Sequence, residues 1–212
     1  VEILRLLEAE LQRPFTLKAG PLWRPRLVRV GEAEHVLSLT MHHIIFDGRS
    51  KYIFLKDLAL FYEAFSAGKS PEISQLPIQY ADFACWQRAW LQGETMESQL
   101  SYWKKQLGGA VSELRLPADR PRSPLASFRG GNRAFELPDV VADALAALSR
   151  REQASLFITL LSAFCALLHR YTEQNDLIVC SPFAARDRAE LEGLIGYFNN
   201  IVVMRSDLSA NP

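Results

Sequence analysis

The sequence predicts an α/β protein in two lobes, and three observations carry that expectation. Segments with β-type alternation and segments with helical periodicity follow one another in both halves of the chain. Between the halves, residues 116–131 are rich in Pro, Arg and Gly and have little periodicity, which reads as a linker. A chain of 212 residues, 49% of them hydrophobic and 23% charged, has enough apolar material for one large core or two small ones. The expected division is a first lobe at 1–115, the linker at 116–131 and a second lobe at 132–212.

Leucines at 4, 6, 7 and 11 predict an amphipathic helix over 2–12 that stops before Pro14. Residues 22–30 read as a strand and 35–43 as its neighbour, across the turn at Gly31-Glu32-Ala33-Glu34. In the second strand Leu37, Leu39 and Met41 share one face and Ser38 and Thr40 the other. Phe54, Leu58, Phe61 and Phe65 recur at helical spacing, so a helix is expected from 48 to 67, with Asp47 as its cap and Gly68 as its left-handed stop.

Helices near 78–92 and 96–107 follow. The first carries the aromatic stripe Tyr80, Phe83, Trp86 and Trp90, most simply read as core packing. After the linker come an expected strand at 132–137, helices at 139–151 and 155–171, and strands at 177–181 and near 200–206. The most apolar run, Leu156 to Leu168, is shorter than the roughly 20 residues a bilayer span needs and is interrupted by Thr159 and Ser162, so it is read as a core helix.

Composition narrows the function. Lys plus Arg equals Asp plus Glu at 24 each, so charge gives no reason to expect nucleic acid or an anionic membrane as a partner. Cys85, Cys165 and Cys180 lie in apolar contexts without a CxxC pattern, as expected for buried thiols in a reducing, cytoplasmic setting. No GxSxG elbow and no phosphate-cradling glycine loop is present. Val1 already lies in a helical pattern, which suggests an excised chain.

The densest chemistry is His42-His43-Ile44-Ile45-Phe46-Asp47-Gly48, which holds two of the four histidines at a junction between strand and helix. Adjacent histidines on a strand point to opposite faces and do not pair, and no third ligand cluster lies nearby, so a metal site is not expected. Extending the alternation puts His43 at the end of the buried face. Partial desolvation there disfavours the imidazolium, leaving a neutral ring able to accept a hydrogen bond or a proton. Asp47, four residues on, either orients that ring or binds an arginine and stiffens the bend; spacing alone leaves both open.

The string His42-His43-x-x-x-Asp47-Gly48, followed by Ser50, resembles the signature of nonribosomal peptide synthetase condensation domains, in the chloramphenicol-acetyltransferase-like superfamily. Further blocks resemble the same family in the same order. They are Arg13-Pro14-Phe15 with Gly20-Pro21-Leu22, residues 77–83 with Trp86-Gln87-Arg88, Tyr102-Trp103, Phe157 through Thr172, Ser181-Pro182 with Arg186, and Ile195-Gly196-Tyr197-Phe198 with Asn200. Arg49, Cys180 and Asn199-Asn200-Ile201 depart from the usual pattern.

The resemblance implies a two-lobed acetyltransferase-like fold, of which this chain holds the later part of the first lobe and the earlier part of the second. It implies amide formation, in which a carrier-bound acceptor amine attacks a carrier-bound donor thioester. On this expectation His43 acts on the amine, Gly48 keeps the floor of the substrate tunnel open, and Asp47 is mainly structural with Arg186 as its partner. His42 packs locally. No cofactor is expected on this chain, since the substrates arrive on phosphopantetheine arms. The expected partners are donor and acceptor carrier domains beside an adenylation domain. Alternatives are an ester-forming acyltransferase, an epimerisation domain of the same superfamily, and a noncatalytic docking module for carrier domains.

Overall fold

A computed structural model describes residues 2–110, 113–119 and 130–210. The chain opens with helix α1, Glu2–Gln12, and continues into strands β1, Trp23–Arg29, and β2, His35–Met41. These strands pair antiparallel, Trp23 opposite Met41 and Arg29 opposite His35, and the turn closes with Val30 N–H donating to Glu34 O at 2.9 Å. A one-turn 3-10 helix at His43–Ile45 then leads into α2, Gly48–Ser66, which stops at Gly68 with φ +67°. Helices α3, Tyr80–Trp90, and α4, Gly93–Leu107, follow.

Beyond the linker, α5 spans Asp139–Arg151 and α6 Leu156–Thr172. The remaining elements are β3 at Asp176–Ala184, a single turn α7 at Ala189–Glu192, and β4 at Asn199–Asp207; β3 and β4 pair in a second two-stranded sheet. Helices and strands thus fall where periodicity places them, with three differences. The strand expected at 35–43 ends at Met41, because the His42 ring caps the 3-10 turn. Residues 132–137 form no regular element. Helix α7 carries too few residues for periodicity to reveal it. Most of the linker, 120–129, lies outside the described residues.

Two compact units are present, and neither is a continuous stretch. One comprises 1–97 with 182–201, the other 98–181 with 202–212. These units cut the chain differently from the consecutive spans 1–115 and 132–212. The physical reason is that hydrogen bonds and a small apolar core tie 182–201 to the first unit, while the chain after 98 is held by residues of the second.

In the first unit Phe83, Leu191, Leu194 and Phe198 are buried together, with Ile78 and Tyr80 packed against them. The aromatic stripe on α3 therefore contributes Tyr80 and Phe83 to the core, whereas Trp86 and Trp90 stack on each other and stay exposed. The alternation in β2 does not produce a buried face. Leu37 is exposed and Leu39 and Met41 only half-buried, because β1 and β2 form a two-stranded sheet with α1 lying against β2.

In the second unit Cys165, Leu168 and Leu177 are buried, with Leu114, Leu161, Val179 and Leu208 around them. Ser149 on α5 donates to Leu145 O at 2.8 Å and shares a 2.7 Å bond with Thr159 on α6, joining the two helices. Arg205 grips both carboxylate oxygens of Asp176 at 2.7 and 2.8 Å and donates to Gln106 O and Gly108 O, which anchors the end of α4. The Gln174 amide holds the 113–115 segment from both sides, at 2.8 and 3.0 Å.

Helix α6 buries one edge only; Phe157, Leu160, Phe164 and Leu167 are exposed, so it is less enclosed than a core helix. Among the described residues no single helix is long and apolar enough to cross a membrane. Cys165 is buried as expected, but Cys85 and Cys180 are exposed.

Leu177 is 1% exposed at the centre of the second core. Leu177→Ala should cost about 2–5 kcal/mol through lost transfer free energy and the cavity left behind. A lower urea midpoint with an unchanged slope is the expected reading.

Candidate active site

The signature begins where β2 runs out. His42 still has an extended backbone and donates its N–H to Leu22 O at 2.9 Å, while its Nδ1 accepts from Ile44 N–H at 3.0 Å. An imidazole that accepts at Nδ1 carries its proton on Nε2. Its ring meets Phe15 edge to face, with centroids 5.8 Å apart. His42 is thus engaged as a cap for the 3-10 turn.

His43 opens that turn and is exposed. The burial expected from strand alternation is therefore not found, because the turn begins before the strand register would have carried His43 inward. What fixes the ring is local: Nδ1 lies 2.5 Å from Phe46 O. A carbonyl only accepts, so Nδ1 is the donor, and the neutral form of the ring has its Nε2 unprotonated. On its other side the ring meets Tyr197 edge to face, centroids 5.2 Å apart at 85°.

Asp47 is the N-cap of α2, and its side chain is fully buried. Its Oδ1 accepts from Ser50 N–H at 2.8 Å, and the Ser50 hydroxyl lies 2.7 Å from the same oxygen. Its Oδ2 accepts from Phe198 N–H at 3.1 Å. Nη2 of Arg186 reaches both oxygens, at 3.0 and 3.1 Å. Of the two roles left open by spacing, the structure thus gives Asp47 the arginine and the cap. Burial by itself would raise the Asp47 pKa, but the bonds from Ser50, the Phe198 amide and the Arg186 charge outweigh it and hold the carboxyl below its ordinary 3.8.

Arg186 does more than balance that charge. Its Nη1 donates to Leu191 O and Leu194 O, both at 2.7 Å, closing the end of α7, and its plane lies 3.9 Å from the Phe198 ring centroid. Ser50, wholly buried, is a second node. Its hydroxyl accepts from Gly196 N–H at 3.0 Å and from Arg186 Nη2 at 3.2 Å. Its one proton is shared between Asp47 and, at 2.9 Å, Gly196 O. Asp47, Ser50 and Arg186 therefore fasten the segment 186–198 to the start of α2.

Gly196 must be glycine here. A Cβ on it would overlap the Tyr80 ring at Cδ2. That ring cannot yield easily, because it packs on Phe83 and Phe198 and its hydroxyl donates to Tyr197 O at 2.7 Å. Burial, and then the Asp47 charge, push the Tyr80 phenol above its usual 10, so the donor keeps its proton. Gly48 is the opposite case: a Cβ there would meet nothing within 4 Å. Arg49 lines a groove of about 520 Å³ with Tyr52, Lys56, Glu72 and Leu76.

The structure thus gathers His43, Asp47, Gly48 and Arg186 around one bend and leaves His42 on its strand side. Ser50, Gly196, Tyr197 and Phe198 have no roles that spacing in the sequence reveals, and the stripe that predicts packing for Tyr80 does not reveal its bond to Tyr197 O. The signal for them was Gly196-Tyr197-Phe198 appearing as one block, but contacts spanning about 150 residues are not visible in spacing. Among the described residues no three His, Cys, Asp or Glu side chains are gathered where they could hold a metal ion.

A family model described as "Condensation domain" matches residues 2–212. A linear gramicidin synthase of Brevibacillus parabrevis is 49% identical over 99% of this chain, which covers 3% of that protein. Phosphinothricin tripeptide synthetase PhsC of Streptomyces viridochromogenes is 42% identical over 95% of this chain and 19% of its own length. Among solved structures, the X-domain in its complex with OxyB from teicoplanin biosynthesis aligns with TM-score 0.90 at 34% identity, covering all of this chain and 48% of that one. The four-domain nonribosomal peptide synthetase AB3403, bound to AMP and glycine, aligns at 0.85 and 27% identity over all of this chain and 16% of its own. The chain therefore spans a small part of the synthetases it matches and about half of the X-domain.

Asp47→Asn or Arg186→Leu should destabilise by about 3–5 kcal/mol, because each leaves the partner's charge buried without compensation. The Asp47 carboxyl is depressed in the folded state, so its stabilising contribution is complete above about pH 4 and is lost as pH falls through the folded value, below 3.8. Acid unfolding of wild type and Asp47→Asn should converge there. Gly196→Ala, by forcing Tyr80 aside, should cost about 1–3 kcal/mol; thermal unfolding reads it as a lower midpoint.

Proposed function

Because this chain belongs to the condensation domain family, we propose that it carries the amide-forming centre of a nonribosomal peptide synthetase, with His43 acting on the acceptor amine. The observation that carries the proposal is the state of the His43 ring. Nδ1 is committed to Phe46 O, so in the neutral form of the ring the remaining nitrogen, Nε2, is the acceptor, on an exposed side chain. An acceptor amine delivered on a phosphopantetheine arm would donate to that nitrogen, which orients its lone pair toward the donor thioester.

In the reaction a C–N bond forms as the amine adds to the thioester carbonyl, and the C–S bond then breaks to release the donor arm as a thiol. The amine loses one proton, which His43 can accept at Nε2 and return to the departing sulfur. Asp47 does not touch the reacting atoms on this reading. With Arg186 and Ser50 it keeps the bend in place, and the free space beside Gly48 leaves room for the arms. The partners are carrier domains for donor and acceptor, with an adenylation domain in the same cytoplasmic synthetase; the cofactor belongs to the carriers.

A second reading is favoured by the alignment with the X-domain, whose structure is a complex with OxyB. On that reading the domain docks a partner and the histidine is not used. His43→Ala in the parent synthetase, supplied with two loaded carriers, separates the two. Loss of dipeptidyl product by about 100-fold or more, with the carriers still bound, is expected for proton transfer or amine positioning. Unchanged product would leave docking as the role.

A further inference from the structure

Tyr197 sits between two residues tied to the signature bend, and its own ring lies against His43. Gly196 donates its N–H to Ser50 Oγ at 3.0 Å, Phe198 donates its N–H to Asp47 Oδ2 at 3.1 Å, and the Tyr197 carbonyl accepts from Tyr80 at 2.7 Å. Three consecutive residues are therefore anchored by their backbones, which leaves the Tyr197 side chain little choice of direction. The direction it takes brings its ring centroid to 5.2 Å from that of His43, nearly perpendicular to it. His43 is exposed, so it lacks the surrounding core that would otherwise hold an imidazole in one orientation. A single bond from Nδ1 to Phe46 O acts as a hinge; an aromatic neighbour opposes rotation about it.

We propose that Tyr197 is a positioning residue for His43, and that the buried Asp47–Ser50–Arg186 cluster acts on the histidine through it. The inference rests on the reading of His43 as the amine-binding group. The aromatic ring is what the geometry uses, so phenylalanine should serve in its place. The chain of contacts is short: the cluster fixes the 196–198 backbone, that backbone aims the ring, and the ring limits the imidazole to the orientation that presents Nε2.

The test uses the complete condensation domain of the parent synthetase with Tyr197→Phe, Tyr197→Leu and Tyr197→Ala. Nitrogen-15 resonances of the His43 ring report its tautomer directly and do not depend on turnover. Wild type and Tyr197→Phe should show the Nδ1–H tautomer, whereas Tyr197→Leu and Tyr197→Ala should shift toward an averaged ring. The kcat for amide formation should fall about tenfold in Leu and Ala, with KM for both loaded carriers unchanged, and recover in Phe. Leu keeps most of the volume, so it serves if Ala fails to fold. Unaltered ring resonances in both Leu and Ala would overturn the proposal, as would a Phe variant as defective as Ala. A His43→Ala enzyme with full turnover, alongside altered ring resonances in Leu, would sink the catalytic reading while leaving the positioning contact standing.

Discussion

A carboxylate with no solvent exposure must be neutralised and hydrogen-bonded or it will not stay ionised, and for Asp47 both needs are met by residues 139 or more positions away along with its own helix. Arg186 supplies the charge, the Phe198 amide and Ser50 supply the donors, and the order of the site follows from that exchange. The first turn of α2 is capped, which fixes Asp47 relative to the 3-10 turn. The segment 186–198 is held down, which buries Leu191, Leu194 and Phe198 against Phe83. The division of the protein into units that are not continuous in sequence is the same fact seen at larger scale: the bonds that satisfy Asp47 draw 182–201 to the first unit.

This arrangement separates two tasks that fall within five residues of the sequence. Asp47 is buried and multiply bonded and supports structure, while His43 is exposed and holds Phe46 O through one ring nitrogen. Buried charge pairs contribute little net stability compared with apolar replacements, but losing one partner leaves the other charge buried at high cost. Gly48 and Gly196 mark the two ways in which glycine serves such a site. At Gly196 the neighbouring ring leaves no room for a Cβ, and at Gly48 a Cβ would meet nothing within 4 Å among the described residues.

Much of this was legible in the sequence, and the failures have physical causes. Local rules placed every helix of ten residues or more, because apolar spacing, the Asp47 cap and the Gly68 stop are encoded within a few positions. The His43 environment was misplaced since alternation says where a side chain would point if the strand continued, and the His42 ring ends it. Residues 132–137 alternate like a strand but form no ladder, since pairing needs a partner that no local pattern reveals. Arg186 was identified by family resemblance and not by any rule of spacing, and the roles of Ser50 and Tyr197 depend on contacts across about 150 residues. What the residues alone conveyed was a bend with polar groups on it; what the fold added was the fastening.

Asp47, Ser50 and Arg186 form one cooperative fastening between α2 and the segment 186–198. Native-state hydrogen exchange on the amides of Ser50, Gly196 and Phe198 tests it most directly, since each donates into the cluster. The three should exchange with one common opening free energy in the wild-type domain, and Asp47→Asn should lower it for all three together. Protection at Ser50 with independent, unprotected exchange at Gly196 and Phe198 would rule out a cooperative cluster, because the helix cap would then stand without the fastening.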